Sequence, residues 1–146
     1  MEAKVDLITC CEVLEHCSQP QQVVRNAFKW LNPGGVFFVT VPAGPMTAYD
    51  KAIGHQHHYT AQEMRSLLES GGFGGVRVLL WGAPFHTLYR MMVGLASARL
   101  KGTEKPGDYS AAYCFLSVIF DKLFYLNVTG CGRQIFGWGY KNADRD

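Results

Sequence analysis

"DLITCCEVLEHCSQPQQVVRNAFKWLNPGGVFFVTVP", residues 6–42, begins and ends in apolar, β-branched runs and carries a helical repeat between them. The flanking runs "KVDLITCC" and "GGVFFVTVP" read as strands buried on both faces, as a parallel sheet covered by helices requires. Between them Val23, Val24, Ala27, Phe28 and Leu31 recur at i, i+1, i+4, i+5 and i+8, which is one apolar stripe on a helix. Ser18 with Gln21 gives a weak start signal, and Asn32-Pro33-Gly34-Gly35 stops the helix. The stretch is therefore a complete strand, helix, strand unit, whose crossover should be right-handed.

Moving outward, Thr60-Ala-Gln-Glu63 matches a capping box, and the helix it opens should turn Met64, Leu67 and Leu68 inward before stopping at Ser70-Gly71-Gly72. Phe73 should fold back onto that helix, and "VRVLLWG", 76–82, reads as the next strand. Residues 85–129 turn aromatic and helical, as two helices separated by a polar break at 101–108. Phe85, Leu88, Tyr89, Met92 and Val93 share one helical face, and Phe115, Ile119, Leu123 and Leu126 share another. The first reading of these faces is core; the sharper one is a lid over an apolar acceptor, or a lipid-facing surface. "RQIFGWGYK", 133–141, closes the chain as a final short strand. The order β-α-β-α-β, two helices, β argues for an α/β domain.

With 146 residues, 48% hydrophobic and 18% charged, the chain has the composition of one globular domain and not of a disordered tail. A net charge of +2 with scattered Lys and Arg offers no basic stripe, so a nucleic-acid partner is not expected. Five cysteines without C-x-x-C spacing, and no signal-peptide pattern, make a reducing, cytoplasmic location the default. The longest uncharged apolar run, 110–120, is too short for a bilayer and reads as a buried or interfacial helix, so no stable membrane anchoring is expected. The sequon Asn127-Val128-Thr129 has meaning only in a secreted chain.

Two clusters carry candidate chemistry. Glu12, Glu15 and His16 stand beside Cys10, Cys11 and Cys17 just after the first strand. They read as general acid/base groups, as a metal site, or as residues that cap and solvate the next turn. Their spacing matches no familiar zinc motif, and alternating strand residues point to opposite faces. "GHQHHY", 54–59, sets three histidines within four residues. These converge on one ion only if a loop bends them inward; otherwise they are solvated or face a substrate.

Taken together, these residues resemble class I S-adenosylmethionine-dependent methyltransferases, in particular the ubiquinone-biosynthesis O-methyltransferases. The resemblance rests on Asp6 opening the strand, Glu12-Val-Leu-Glu-His16 after it, Pro20 before the helix and Leu31-x-Pro-Gly-Gly35 before the next strand. "GHQHHYTAQEMRSLLESGGF", 54–73, is similar to the family's G-H-x-x-H-Y-[ST] segment and following helix, and the match covers about residues 4–82. It implies a Rossmann-like methyltransferase sheet of order 3-2-1-4-5-7-6 with the last strand antiparallel. This chain would supply strands 4-5-7-6, with flanking helices and a helical insertion between strands 6 and 7. It further implies S-adenosylmethionine as cofactor and a small-molecule acceptor, apolar in one reading. Cys10, Cys11 and Glu12 would lie near the methionine part of the cofactor, and Glu15 and His55 on the substrate side. His58, His16 or Tyr59 would serve as base or orienting group.

The family's glycine-rich turn after strand 1 and the acidic end of strand 2 have no counterpart here, since Met1 stands only five residues before Asp6. "GGFGG", 71–75, follows a helix and precedes a strand, the reverse of the required context. The expectation is a single methyltransferase-like half-domain over 1–146: a 4–82 core, an 85–129 aromatic helical insertion and a 133–141 final strand. It is expected to be inactive as an isolated fragment. Its open strand 4 edge should lead to a homo-oligomer or to pairing with a missing amino-terminal half. The alternative is a non-catalytic association module that binds a partner through that edge or the aromatic helices.

Overall fold

The computed structural model describes residues 4–99 and 111–142. Five strands form one sheet in the order β1-β2-β5-β3-β4: β1 Val5–Cys11, β2 Leu31–Pro42, β3 Phe73–Ala83, β4 Val128–Thr129 and β5 Gln134–Lys141. The strands β1 and β2 are parallel, joined by helix α1, Pro20–Trp30. Strand β5 runs antiparallel between β2 and β3, so the last long strand inserts into the sheet. This is the 4-5-7-6 order that the resemblance implied, with β4 as a two-residue edge pairing Trp81 with Thr129 and Ala83 with Val128.

Pleating decides the core. Phe37, Val39 and Val41 on β2 and Ile135 on β5 are fully buried, together with Val24 and Leu31 from α1 and its end. Helix α3, Ala61–Ser70, brings Met64, Leu67 and Leu68 to the same cluster, and Phe73 folds back against Phe37 and Phe28. A Cβ at Gly137 would stand 3.0 Å from Val39 Cγ2 and 3.2 Å from Met64 Cγ, so the bare backbone there lets α3 seat closely on β5. The Thr60–Glu63 capping box forms as expected: Glu63 N–H donates to Thr60 Oγ1 at 3.2 Å and Thr60 N–H to Glu63 Oε2 at 2.7 Å.

Three expectations are corrected. Helix α1 is not started by Ser18 and Gln21; its N-cap is Gln19 with no side-chain cap, and Pro20 in the first turn supplies the helical φ instead. Strand β1 is not buried on both faces: Val5 and Leu7 are exposed, because among the described residues β1 has a neighbour on one side only. The aromatic segment is not core throughout. Helices α4, Phe85–Arg99, and α5, Ala111–Phe124, pack on each other through Tyr89, Phe120 and Phe124, but Leu88, Met92, Phe115, Ile119 and Leu126 face solvent. The side chain of Val93, which the sequence placed on the same face, lies outside the described residues. The sequon has a structural role: Asn127 Oδ1 accepts from the Phe85 and His86 N–H groups at 2.8 and 3.2 Å, capping α4.

Candidate functional site

The site is built where parallel strands β1 and β2 end. After Cys11 the chain enters a left-handed conformation at Glu12 (φ 55°), the one non-glycine positive φ among the described residues, which costs on the order of 1 kcal/mol. Its N–H donates to Thr40 O at 2.9 Å, and its Oε1 accepts from Thr40 Oγ1 at 2.9 Å and Gln134 Nε2 at 2.6 Å. One carboxylate thus joins the ends of β1, β2 and β5, which offsets the strain.

A single 3-10 turn, Leu14–His16, follows and is sewn to the 54–59 loop. Gln56 N–H donates to Glu15 O at 2.7 Å, Tyr59 Oη to Leu14 O at 3.2 Å and Gln56 Nε2 to His16 O at 2.8 Å. His16 Nδ1 lies 3.2 Å from Gly54 O, and since a carbonyl only accepts, Nδ1 carries the proton. The two clusters that the sequence kept apart are one structure. Burial pushes the Tyr59 hydroxyl up to about 12, with nearby Cys17 and acidic groups adding to it, so Tyr59 acts here as a tether.

The histidines form a chain of fixed tautomers. His58 Nδ1 donates to Gly44 O at 3.2 Å, leaving its Nε2 to accept from His55 Nδ1 at 2.8 Å. The His55 Nε2 lone pair is then left for the cavity. Burial holds both histidines below the usual imidazole range, and their mutual proximity reinforces this at His55. Beside them Asp50 closes a second capping box on the short helix α2, Ala48–Ala52, with Thr47 N–H and Oγ1 both donating to Oδ2 at 2.7 Å. Arg90 Nη2 from α4 donates to Asp50 Oδ1 at 2.9 Å. Burial pushes this carboxyl up, but the Thr47 donors and the Arg90 guanidinium outweigh it and hold Asp50 below the usual carboxylate range.

Glu15 is the exception in an otherwise satisfied network. Its side chain is fully buried, neither carboxylate oxygen has a hydrogen-bond partner, and burial raises its pKa. These groups enclose a cavity of about 360 Å³ lined by Glu12, Glu15, His16, Asp50, His55 and Arg90, with Thr47, Tyr49, Ile53 and Tyr89 completing the wall. A larger open groove of about 710 Å³ runs along Cys17, Gln21, Gln56, His57, Glu63 and Ser66, outside this convergence of charged groups.

Two sets of donor atoms lie within 4.8 Å of one another, Glu15-His16-His55 and Asp50-His55-His58. In the second, Asp50 is engaged by Arg90 and Thr47 and the histidines by each other, so it is a hydrogen-bond chain. The first keeps an unpartnered carboxylate and two imidazole lone pairs, a set that can take a borderline divalent ion.

Of the residues singled out from sequence, Glu12, Glu15, His16 and His55 line the cavity. His58 stands one layer behind, and Tyr59 backs the open groove. Cys10 is buried, its thiol pushed up to about 11 by burial and by Cys17, Cys11 and Glu15, while Cys11 is exposed; neither lines the cavity. Sequence reasoning missed Asp50 and Arg90. Asp50 had a signal, the Thr47-x-x-Asp50 box; Arg90 had none.

A profile of the family described as "methyltransferase domain" matches residues 2–78, just over half of the chain. The ubiquinone biosynthesis O-methyltransferase of Pseudomonas fluorescens (strain SBW25) is 38% identical over 58 residues, which is 39% of this chain and 25% of that protein. Its counterpart in Pseudomonas putida F1 is 43% identical over 54 residues, 36% of this chain and 23% of that protein. The matched stretch thus spans about a quarter of these relatives. Among solved structures, the fold is similar to a Thermotoga maritima S-adenosylmethionine-dependent methyltransferase, described as a possible histamine N-methyltransferase. That match has a TM-score of 0.59 at 13% identity, over 97% of this chain and 57% of that one. It is also similar to Haemonchus contortus phosphoethanolamine N-methyltransferase 2, solved with phosphomonomethylethanolamine and S-adenosylhomocysteine (TM-score 0.58, 15% identity, 94% of this chain, 33% of that one). At these identities the structural matches speak to fold alone.

Proposed function

Because the chain belongs to the methyltransferase-domain family, we propose that its cavity is the acceptor side of an S-adenosylmethionine-dependent methyl-transfer site. The observation that carries this reading is the place of the cavity. It opens beyond the carboxyl ends of parallel β1 and β2, where open α/β sheets bind ligands, and it gathers Glu12, Glu15, His16 and His55 there. The described strands carry the 4-5-7-6 part of the methyltransferase sheet, and a glycine-rich strand 1 turn, which another copy of these residues cannot supply, completes the cofactor cleft. In that cleft Cys10, Cys11 and Glu12 lie towards the methionine part of S-adenosylmethionine.

The reaction asks the protein chiefly for alignment. S-adenosylmethionine, when bound, would supply the methyl group, its carbon–sulfur bond breaking to leave S-adenosylhomocysteine as an acceptor oxygen takes the methyl. The acceptor hydroxyl proton passes to an imidazole. His55 Nε2 and His16 Nε2 hold lone pairs at the cavity wall, and the depressed pKa of His55 keeps it neutral and able to accept. His58 fixes the His55 tautomer from behind. A small acceptor fits a cavity of about 360 Å³, with Tyr49, Ile53 and Tyr89 offering apolar contact.

Calorimetric titration with S-adenosylhomocysteine tests the reading. Micromolar binding that weakens on Glu12→Ala supports it, and absence of binding when the glycine-rich half of the fold is also supplied overturns it. The second reading, an association module, is favoured by strand β1, where Leu7 is 58% and Val5 43% exposed beside an edge with no strand partner among the described residues. Self-association abolished by Leu7→Lys, without cofactor binding, would favour that module.

A further inference from the structure

Glu12 stands in the left-handed region at φ 55°. Glycine would adopt this turn without steric cost, so a residue with a Cβ there points to a use for its side chain. That use is visible at one atom. Thr40 Oγ1 donates to Glu12 Oε1 at 2.9 Å, and Gln134 Nε2 donates to the same oxygen at 2.6 Å. Both donors are buried, whereas Glu12 is exposed and lines the cavity. Since both bonds go to Oε1, the second carboxylate oxygen is left to the cavity.

Closing the strand ends does not by itself call for this arrangement. The Glu12 N–H already ties β1 to β2 through Thr40 O at 2.9 Å, and a backbone bond of that kind is open to any residue but proline. The two side-chain donors are neutral, so they fix the carboxylate without cancelling its charge. Asp50 is the contrast, because its charge is met at 2.9 Å by Arg90 of the α4–α5 hairpin. No salt bridge to Glu12 forms among the described residues. A fixed and uncancelled carboxylate on the wall of a ligand cavity is a counter-charge for a cationic group. Gln134 reaches it across 122 positions, because β5 inserts beside β2 and sets Gln134 opposite Pro42.

We propose that Gln134, with Thr40, is a positioning residue for the cofactor: the two hold Glu12 so that its free oxygen meets the ammonium group at the amino-acid end of S-adenosylmethionine. The inference rests on the methyl-transfer reading above, and adds which part of the cofactor is recognised and which strand sets the recognising group. Neither Gln134 nor Thr40 lines the cavity. Loss of either should therefore act through Glu12, and only on ligands that carry that ammonium group.

Calorimetry with two probes separates this role from a merely structural one. S-adenosylhomocysteine carries the amino-acid end, and 5′-methylthioadenosine lacks it. With the glycine-rich half of the fold supplied, Gln134→Met should weaken S-adenosylhomocysteine about tenfold and leave 5′-methylthioadenosine unchanged. Thr40→Val should show the same selectivity, and in a Glu12→Ala background neither substitution should weaken binding further. Unfolding in urea reads the clamp on the chain without ligand. Glu12→Gly should lower the midpoint of the parent, and should no longer lower it once Thr40→Val and Gln134→Met have removed both donors. Far-ultraviolet circular dichroism verifies the fold of each variant. Equal weakening of the two probes, or a Gln134→Met variant that binds S-adenosylhomocysteine like the parent, overturns the proposal. So does a Glu12→Gly effect that is the same in both backgrounds. A parent that binds the two probes equally well overturns the positioning role and leaves the methyl-transfer reading standing; a parent that binds neither overturns both.

Discussion

Arg90 and Asp50 meet at 2.9 Å, Nη2 to Oδ1, and this contact fastens the outer hairpin to the loop that carries the cavity histidines. The carboxylate is 5% exposed and the guanidinium 23%, so the pair is sheltered from solvent on the acidic side. Asp50 Oδ1 also stands 3.9 Å from His55 Nδ1 and 4.0 Å from His58 Nε2. The Arg90–Asp50 pair thereby links α4 to the His55–His58 chain.

Arg90→Met should cost about 2 kcal/mol in urea denaturation, the range for a hydrogen bond to a charged group. Asp50→Asn in the Arg90→Met background should cost less than in the parent, because the pair acts as a unit. Asp50 titrates below the ordinary carboxylate range. Its contribution is therefore full above the unfolded value of about 3.9 and is lost as pH falls through its folded pKa, and Asp50→Asn should remove that part of the acid limb.

Glu15→Gln should raise the denaturation midpoint at pH 7. The buried carboxyl has no partner and its pKa is raised by burial, so the folded state holds the proton more tightly than the unfolded chain does. The penalty exists above the unfolded value of about 4.3 and vanishes below it. The gain should therefore be present at pH 7 and disappear near pH 4.

Thermal stability should fall as pH drops below about 6.5, the unfolded imidazole value. His86 is held below that value by burial and by Arg90, with Glu12 opposing, and its Nδ1 has no partner. The unfolded chain then takes a proton that the folded one refuses, so stability declines until the folded pKa is reached. His86→Phe should flatten this slope in a melting series from pH 7 to pH 5 without abolishing it, because His55 and His58 are shifted in the same direction.

Asn127→Ala should cost about 1 kcal/mol, the value of a helix N-cap, since Phe85 and His86 N–H lose their shared acceptor. Asn127→Asp, which keeps an oxygen there, should retain most of it. Equilibrium unfolding of the two variants side by side separates the cap from simple loss of bulk.

What sequence reveals here follows the reach of each physical signal. The β1-α1-β2 unit and the Thr60–Glu63 cap are local patterns, fixed by period and by three-residue spacing, and both form, although β2 takes up Leu31 and the Asn32–Gly35 stop as its first residues. The sheet order was legible only through resemblance, because nothing in the residues of β5 says that it inserts between β2 and β3. The outer faces of α4 and α5 were misread for a definite reason. An i, i+3, i+4 stripe shows that a helix has two faces, and says nothing about which one meets protein. The cavity was half legible: Glu12, Glu15, His16 and His55 stood out by residue type, whereas Arg90 reaches Asp50 across 40 positions through the packing of α2 against α4.

The hairpin leaves and rejoins the sheet at adjacent points. Strand β3 is paired with β5 at Leu80–Ile135 and Trp81–Gln134, Gly130 N–H donates to Leu80 O at 2.8 Å, and Asn127 ties the returning chain to the start of α4. The segment between is therefore a cassette plugged into a two-strand socket, and the register of the sheet does not depend on its length. A lineage can lengthen, shorten or exchange it in one step while the β1–β2 crevice stays intact. The part of the cavity wall that Tyr89 and Arg90 supply can then change without disturbing the scaffold beneath it.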